Sequence, residues 1–165
     1  MIKTLLLIRH AKSSWDNESV NDFERSLNDR GKRDAPVMAK RLLSKKISID
    51  TFVSSPARRA KKTALFFANE FDFEENKIIY KTELYAAPQE VFYDVVKLFD
   101  NSFNNVAIFS HNPGITEFAN SLTTTRIDDM PTCSIFAVKL NLKNWNEFEE
   151  AKKEFWFFDY PKSIE

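Results

Sequence analysis

The chain predicts a three-layer α/β/α domain built on a mostly parallel sheet. Three observations lead there. Short contiguous apolar runs, Thr4-Leu5-Leu6-Leu7-Ile8 and Val106-Ala107-Ile108-Phe109, have the pattern of strands buried on both faces. Apolar residues at helical spacing lie between such runs, so strand and helix signals alternate along the chain. Each of the two long runs also ends close to a histidine, His10 and His111, and the chain has only these two. In an open α/β sheet, the carboxyl ends of strands are where ligands bind.

Taken in order, residues 3–9 read as the first strand, and residues 11–30 as a long polar loop leaving its carboxyl end. Ala35, Met38, Ala39, Leu42 and Leu43 repeat at helical spacing. Pro36 suits a first helical turn, so this helix either starts near Asp34 or begins earlier and is kinked at the proline. Ile49 to Val53 reads as a second strand. Ser55 is then the expected N-cap and Pro56 the first helical position of a helix whose inward stripe is Ala60, Ala64, Phe67, Ala68 and Phe71. Lys77 to Tyr80 is a brief third strand. Pro88 opens a helix with Val91, Val95, Leu98 and Phe99 on one face.

Val106 to Phe109 is the fourth strand. Asn112-Pro113-Gly114 makes a turn into a short helix marked by Ile115, Phe118, Ala119 and Leu122. Ser134 to Leu142 and Glu154 to Phe158 read as a hairpin at the sheet edge. The stretch Trp145 to Phe158, rich in Glu, Lys and aromatics, reads as an amphipathic surface element. The expected order is β-α-β-α-β-α-β-α-β-β, in one domain spanning 1–165.

Composition narrows the function. The 165 residues suffice to bury roughly 70% of the unfolded surface, so no staple is needed. Lys plus Arg (24) equals Asp plus Glu (24), which removes any global field for nucleic acid or an anionic membrane. The lone Cys133 reads as a small core residue, and a single cysteine suits a reducing compartment. No apolar run is long enough to span a bilayer, and Arg9 and His10 interrupt the first one early. A cytoplasmic location is the expectation. With two glycines, Gly31 and Gly114, a glycine-rich nucleotide cradle is excluded.

The strand ends gather Arg9 and His10, then Ser54-Ser55 with Arg58 and Arg59, then His111 with Asn112-Pro113-Gly114. Guanidinium groups match phosphate oxygens in a bidentate fork, so two arginines and two histidines around one point make an anion site. A metal site lacks a third ligand and would be repelled by the arginines. No metal and no cofactor are expected.

These motifs resemble the histidine phosphatase superfamily, which includes the phosphoglycerate mutases. The carriers are Leu7-Ile8-Arg9-His10-Ala11, Ser54-Ser55-Pro56-Ala57-Arg58-Arg59-Ala60 with Thr63-Ala64, and Ser110-His111-Asn112-Pro113-Gly114, in the family's order. Arg9-His10-Ala11-Lys12-Ser13-Ser14-Trp15, Arg25-Ser26-Leu27-Asn28-Asp29-Arg30-Gly31 and Phe158-Asp159-Tyr160-Pro161-Lys162 are similar to the small SixA-type phosphohistidine phosphatases.

The resemblance implies a phosphoglycerate mutase-like fold without a cap insertion. It implies His10 as the nucleophile that receives the phosphoryl group, and Arg9, Arg59 and His111 as holders of the phosphate oxygens. Asn112 is a further substrate-binding candidate. The family arginine directly precedes the alanine, which selects Arg59 and leaves Arg58 on the rim. Glu83 stands where mutase-like members carry an acid, and Asp22 is a weaker loop candidate. On chemical grounds an attacking imidazole must be neutral, whereas His111 is expected to be protonated.

The short connections leave the pocket uncovered, which favours a phosphohistidine-bearing protein as substrate. Lys12, Trp15 and Lys61 are candidate rim residues that would meet it. The alternatives are a phosphatase or mutase for small phosphate esters, and a noncatalytic phosphate-binding module.

Overall fold

The computed structural model describes residues 2–15 and 20–164. Six strands form one sheet: β1 (Ile2–Arg9), β2 (Thr51–Ser54), β3 (Ile79–Tyr80), β4 (Asn105–Ser110), β5 (Ile135–Asn141) and β6 (Lys152–Asp159). Four helices, α1 (Asp29–Ser44), α2 (Arg58–Glu70), α3 (Gln89–Lys97) and α4 (Gly114–Leu122), alternate with the first five strands. The sheet order is β3-β2-β4-β1-β5-β6. Strands β1 to β4 are parallel to one another; β5 runs antiparallel to β1 and β6 antiparallel to β5, as the edge hairpin.

The period-two geometry of β1 divides the core. Leu5 and Leu7 pack on one side with Phe92, Val96 and Phe118 of α3 and α4. Leu6 and Ile8 pack on the other with Met38, Leu42 and Phe67 of α1 and α2. All four β1 side chains are fully buried, and each buried leucine or isoleucine stabilises the fold by about 1.5–3 kcal/mol. A strand apolar at every position therefore demands helices on both faces, which is the three-layer arrangement.

The register brings the histidines together. Arg9 pairs with Ser110 across the parallel β1–β4 ladder. The His10 amide continues that ladder with a bond to the Ser110 carbonyl at 3.1 Å. His10 and His111 thus leave adjacent central strands at the same level.

Several local expectations are corrected. Of the two starts open for helix α1, the structure has the earlier one: it begins at Asp29 and runs through Pro36. Asn28 caps it by accepting from the Gly31 amide at 2.9 Å. The buried face of Ala35, Met38, Ala39 and Leu42 offsets the ~3 kcal/mol cost of an interior proline. The loop expected over 11–30 therefore ends early. It also contains a 3₁₀ turn at Asp22–Glu24 and a bridge between Ser13 and Leu27; its residues 16–19 lie outside the described residues.

Ser55 does not cap α2. The N-cap is Ala57, whose methyl group offers no acceptor, and the Ser55 hydroxyl, two residues earlier, accepts from the Ala57 amide and contacts His111 instead. Leu98 follows the last residue of α3 and is exposed, while Phe92 and Val96 fill the inward face. The 145–158 stretch is not a surface element throughout. Trp145 and Phe148 are fully buried, and Trp145 donates its indole N–H to the Phe103 carbonyl. Lys3 is also buried, its ammonium bonded to the carbonyls of Asn101 and Phe103.

Both glycines are sites of close backbone approach. A Cβ on Gly31 would lie 2.2 Å from the Lys12 carbonyl oxygen, and one on Gly114 would lie 1.8 Å from that of Ala87. Each contact presses a helix start against a loop beside the strand ends. Gly31→Ala and Gly114→Ala are each expected to lower unfolding free energy by about 1–3 kcal/mol or more, measured by urea denaturation; wild-type stability in either variant would contradict this packing.

Candidate active site

The parallel strands end in a cleft of about 320 Å³. Arg9, His10, Lys12, Asp22, Arg25, Arg59, Tyr85, His111 and Asn112 contribute to its walls. Four cations thus face a single carboxylate among the described residues.

His10 leaves β1 with its ring 6% exposed as a residue. Its Nδ1 lies 2.7 Å from the Ala11 carbonyl oxygen. A carbonyl only accepts, so Nδ1 carries the proton and Nε2 holds a lone pair. Burial drives the ring well below the usual imidazole range, and His111, Arg59 and Arg9 push in the same direction against the Ala11 bond. The ring is neutral. Thr63 on α2 braces this segment: its hydroxyl accepts from the Ala11 amide and donates to the Arg59 carbonyl.

Arg59 is buried and Arg58 is exposed. Successive helical positions point about 100° apart, so only one of the neighbours can face inward. The Arg59 Nε lies 3.4 Å from His10 Nε2. The rest of its guanidinium donates to the Asp22 carbonyl at 2.7 Å and pairs with the Asp22 carboxylate at 3.1 Å. That carboxylate also accepts from the Tyr85 hydroxyl at 2.6 Å and from Arg25 at 3.1 Å. The Tyr85 bond, together with Arg59 and Arg25, holds Asp22 down at about 2 against a desolvation cost.

Arg9 donates to the Met130 carbonyl at 2.8 Å and lies 3.9 Å from Asp129. Among the described residues its Nε is buried without a partner. The His111 ring stands 5.1 Å from that of His10, centroid to centroid. Its Nε2 lies 2.7 Å from the Ser55 hydroxyl, and that hydroxyl accepts from the Ala57 amide. His111 Nδ1 is likewise buried with no partner among the described residues. Buried polar atoms without partners are rare, and here two of them belong to residues lining one cleft.

The expectation of a protonated His111 is corrected. Burial pushes it down to about 3, and Arg59 and Arg9 oppose its charging more than Asp22 favours it. Asn112 lines the cleft but spends its amide on Asp129, Met130 and Thr116, so it braces the turn after β4. Glu83 is exposed in the 3₁₀ turn Thr82–Leu84 and is not among the cleft-lining residues. Asp22 and Tyr85 are. Lys12 and Trp15 line the rim, whereas Lys61 lies by Tyr80. Arg25 and Ser55 lie in motifs that carry the resemblance, yet no sequence signal assigns them a role beside His10, and none singles out Tyr85. Among the described residues, no group of three His, Cys, Asp or Glu side chains could hold a metal, and no helix is long and apolar enough to cross a membrane.

Residues 5–85 match the Histidine phosphatase superfamily (branch 1). The chain belongs to that superfamily. Its fold is that of the protein histidine phosphatase SixA determined with tungstate, at a TM-score of 0.82 and 19% identity over 98% of this chain and 99% of that one. A SixA-type protein from Agrobacterium tumefaciens gives 0.79 and 22%, covering 96% and 98%. In sequence, the chain is 25% identical to an uncharacterized protein of Mycobacterium leprae, over 94% of this chain and 100% of the relative. It is 26% identical to an uncharacterized chloroplastic protein of Arabidopsis thaliana, over 88% and 70%.

The buried histidines set a pH dependence. Unfolded, each ring binds a proton below about 6.5. Folded, His111 stays neutral until about 3. The stability contributed by this ring is complete above pH 6.5 and falls as the pH drops toward 3. Denaturation at pH 7.5 and 5.0 is expected to show a loss of about 2 kcal/mol from His111, diminished in His111→Asn; equal losses in both proteins would contradict a shielded neutral ring.

Proposed function

We propose that the protein is a metal-independent phosphatase that works through a phosphorylated His10, with phosphohistidine on another polypeptide as its substrate. The observation that carries this reading is the fixed tautomer of His10. Its Nδ1–H is tied to the Ala11 carbonyl, so the Nε2 lone pair is the ring's free nucleophile, in a cleft walled by Arg9, Lys12, Arg25 and Arg59.

The reaction takes two steps. Nε2 of His10 attacks phosphorus as the bond to the substrate nitrogen breaks, and that nitrogen leaves with the electron pair and takes a proton from solvent. Water then attacks the phosphoryl group, the P–Nε2 bond breaks, and the lone pair returns to His10. Phosphoryl transfer depends on positioning and charge neutralisation. Arg9 and Arg59 supply fixed charge. His111 can supply a hydrogen bond without being protonated: in the tautomer where the Ser55 hydroxyl, which accepts from the Ala57 amide, donates to Nε2, the proton of His111 sits on Nδ1.

The leaving group discriminates between substrates. An alkoxide needs a proton donor. Asp22, held near 2, stays ionised, and Glu83 is not a cleft residue. A phosphorylated imidazole leaves through a basic nitrogen that solvent protonates readily. The open cleft also admits a side chain carried by a second protein. The same chemistry disfavours the alternative of a small sugar phosphate.

His10→Ala is expected to reduce turnover of phosphohistidine by at least about 10³-fold while inorganic phosphate still binds. Rapid quench of the wild type should trap an acid-labile, base-stable label on His10. An unchanged rate in the variant, or a label elsewhere, would overturn the nucleophile. Activity should persist in EDTA; loss of activity with rescue by a divalent ion would contradict a metal-independent site. Faster turnover of sugar phosphates than of phosphohistidine would favour small esters.

A further inference from the structure

The cleft does not end at the phosphate-sized hollow between the histidines. Arg25, in its wall, also lines a smaller hollow of about 140 Å³. Arg58 and Ser26 of that hollow are shared with a third, of about 240 Å³. Lys62 and Phe66 of the third are shared with a fourth, of about 280 Å³, which Leu65 helps to line. The shared residues make these hollows one trough along the outer side of α2. Arg58, Lys62 and Phe66 recur four residues apart, so they form one ridge of that helix, about 12 Å long.

The trough has a distinct chemistry. Arg25, Arg58, Lys32 and Lys62 line it, against Glu24 and Glu75. Arg58, Lys32 and Lys62 make no ion pair among the described residues. Leu27, Leu65 and Phe66 provide apolar floor between the cations. The chain as a whole has no net charge, so this excess is a local feature, and it is continuous with the cleft.

We propose that this trough is the docking surface for the polypeptide that carries the phosphoryl group, and that it selects an acidic segment with an apolar side chain a few residues from the phosphorylated histidine. The proposal rests on the phosphohistidine reading above and adds the sequence preference of the partner. Charge complementarity along such a surface raises association and fixes register. An extended chain covers the 12 Å ridge with about four residues. The recognised carboxylates therefore lie about three to seven residues from the phosphohistidine, on one side of it.

The test uses two phosphohistidine peptides that differ only in this stretch, one with three glutamates and a leucine, the other with three glutamines and a leucine. The intact protein is expected to show a kcat/KM about tenfold higher for the glutamate peptide at low salt, expressed mainly in KM, with the gap closing at high salt. The double variant Arg58→Glu with Lys62→Glu should lose or reverse the preference and keep its rate on free phosphohistidine within about twofold. Equal kcat/KM on the two peptides in the wild type would overturn the proposal, as would a preference unchanged in the variant. If neither peptide is hydrolysed while an aryl phosphate is, the phosphohistidine reading fails. The trough is then read separately through inhibition of aryl phosphate turnover by the same peptides without phosphate. Stronger inhibition by the glutamate peptide would uphold an acidic docking surface, and equal inhibition would sink it.

Discussion

One hydrogen bond, from Nδ1 of His10 to the carbonyl of the next residue, organises the cleft. It fixes which ring nitrogen is free, and that nitrogen faces the Arg59 guanidinium at 3.4 Å. The segment after β1 that makes this bond is held from three sides: by Thr63 on α2, by the β4 ladder, and by the Cys133 amide, which reaches the carbonyls of both Arg9 and His10. The two glycines let α1 and α4 come close enough to complete the enclosure.

The electrostatic logic follows from that enclosure. Two imidazoles are buried beside two guanidiniums, so a charge on either ring is costly. The site holds its positive charge on arginine, which keeps its proton when buried. Asp22 is the counterweight. It orients Arg59 and Arg25 and is itself anchored by Tyr85. A carboxylate this strongly paired is suited to positioning cations and poorly suited to giving up a proton, which is why the proposed chemistry favours a leaving group that solvent can protonate.

Much of the fold was legible because strands and helices announce themselves by period. The β-α alternation, the edge hairpin and the buried strand ends came from contiguous apolar runs and helical stripes. Boundaries were less legible where a local rule competed with a tertiary contact. Pro36 suggests a helix start, yet the buried face of Met38 and Leu42 and the Asn28 cap carry α1 through it. Ser55-Pro56 has the form of a capped start, yet the N-cap falls to Ala57 and the Ser55 hydroxyl is shared between the Ala57 amide and His111. Trp145 sits in a charged stretch, and only the packing of Phe99 and Phe148 with it into one core explains its burial.

The sequence alone determined that two histidines would stand at the carboxyl ends of two buried strands, because β-strand periodicity and the order of motifs are local properties; that those strands are neighbours came from the sheet. Tertiary structure decided the rest. It turned Arg59 inward and Arg58 outward, brought Asp22, Arg25 and Tyr85 to the cleft in place of Glu83, and left His111 uncharged. The reason is physical: burial and through-space charge arise only when segments distant in the chain close around one another, and no spacing along a single strand or helix encodes them.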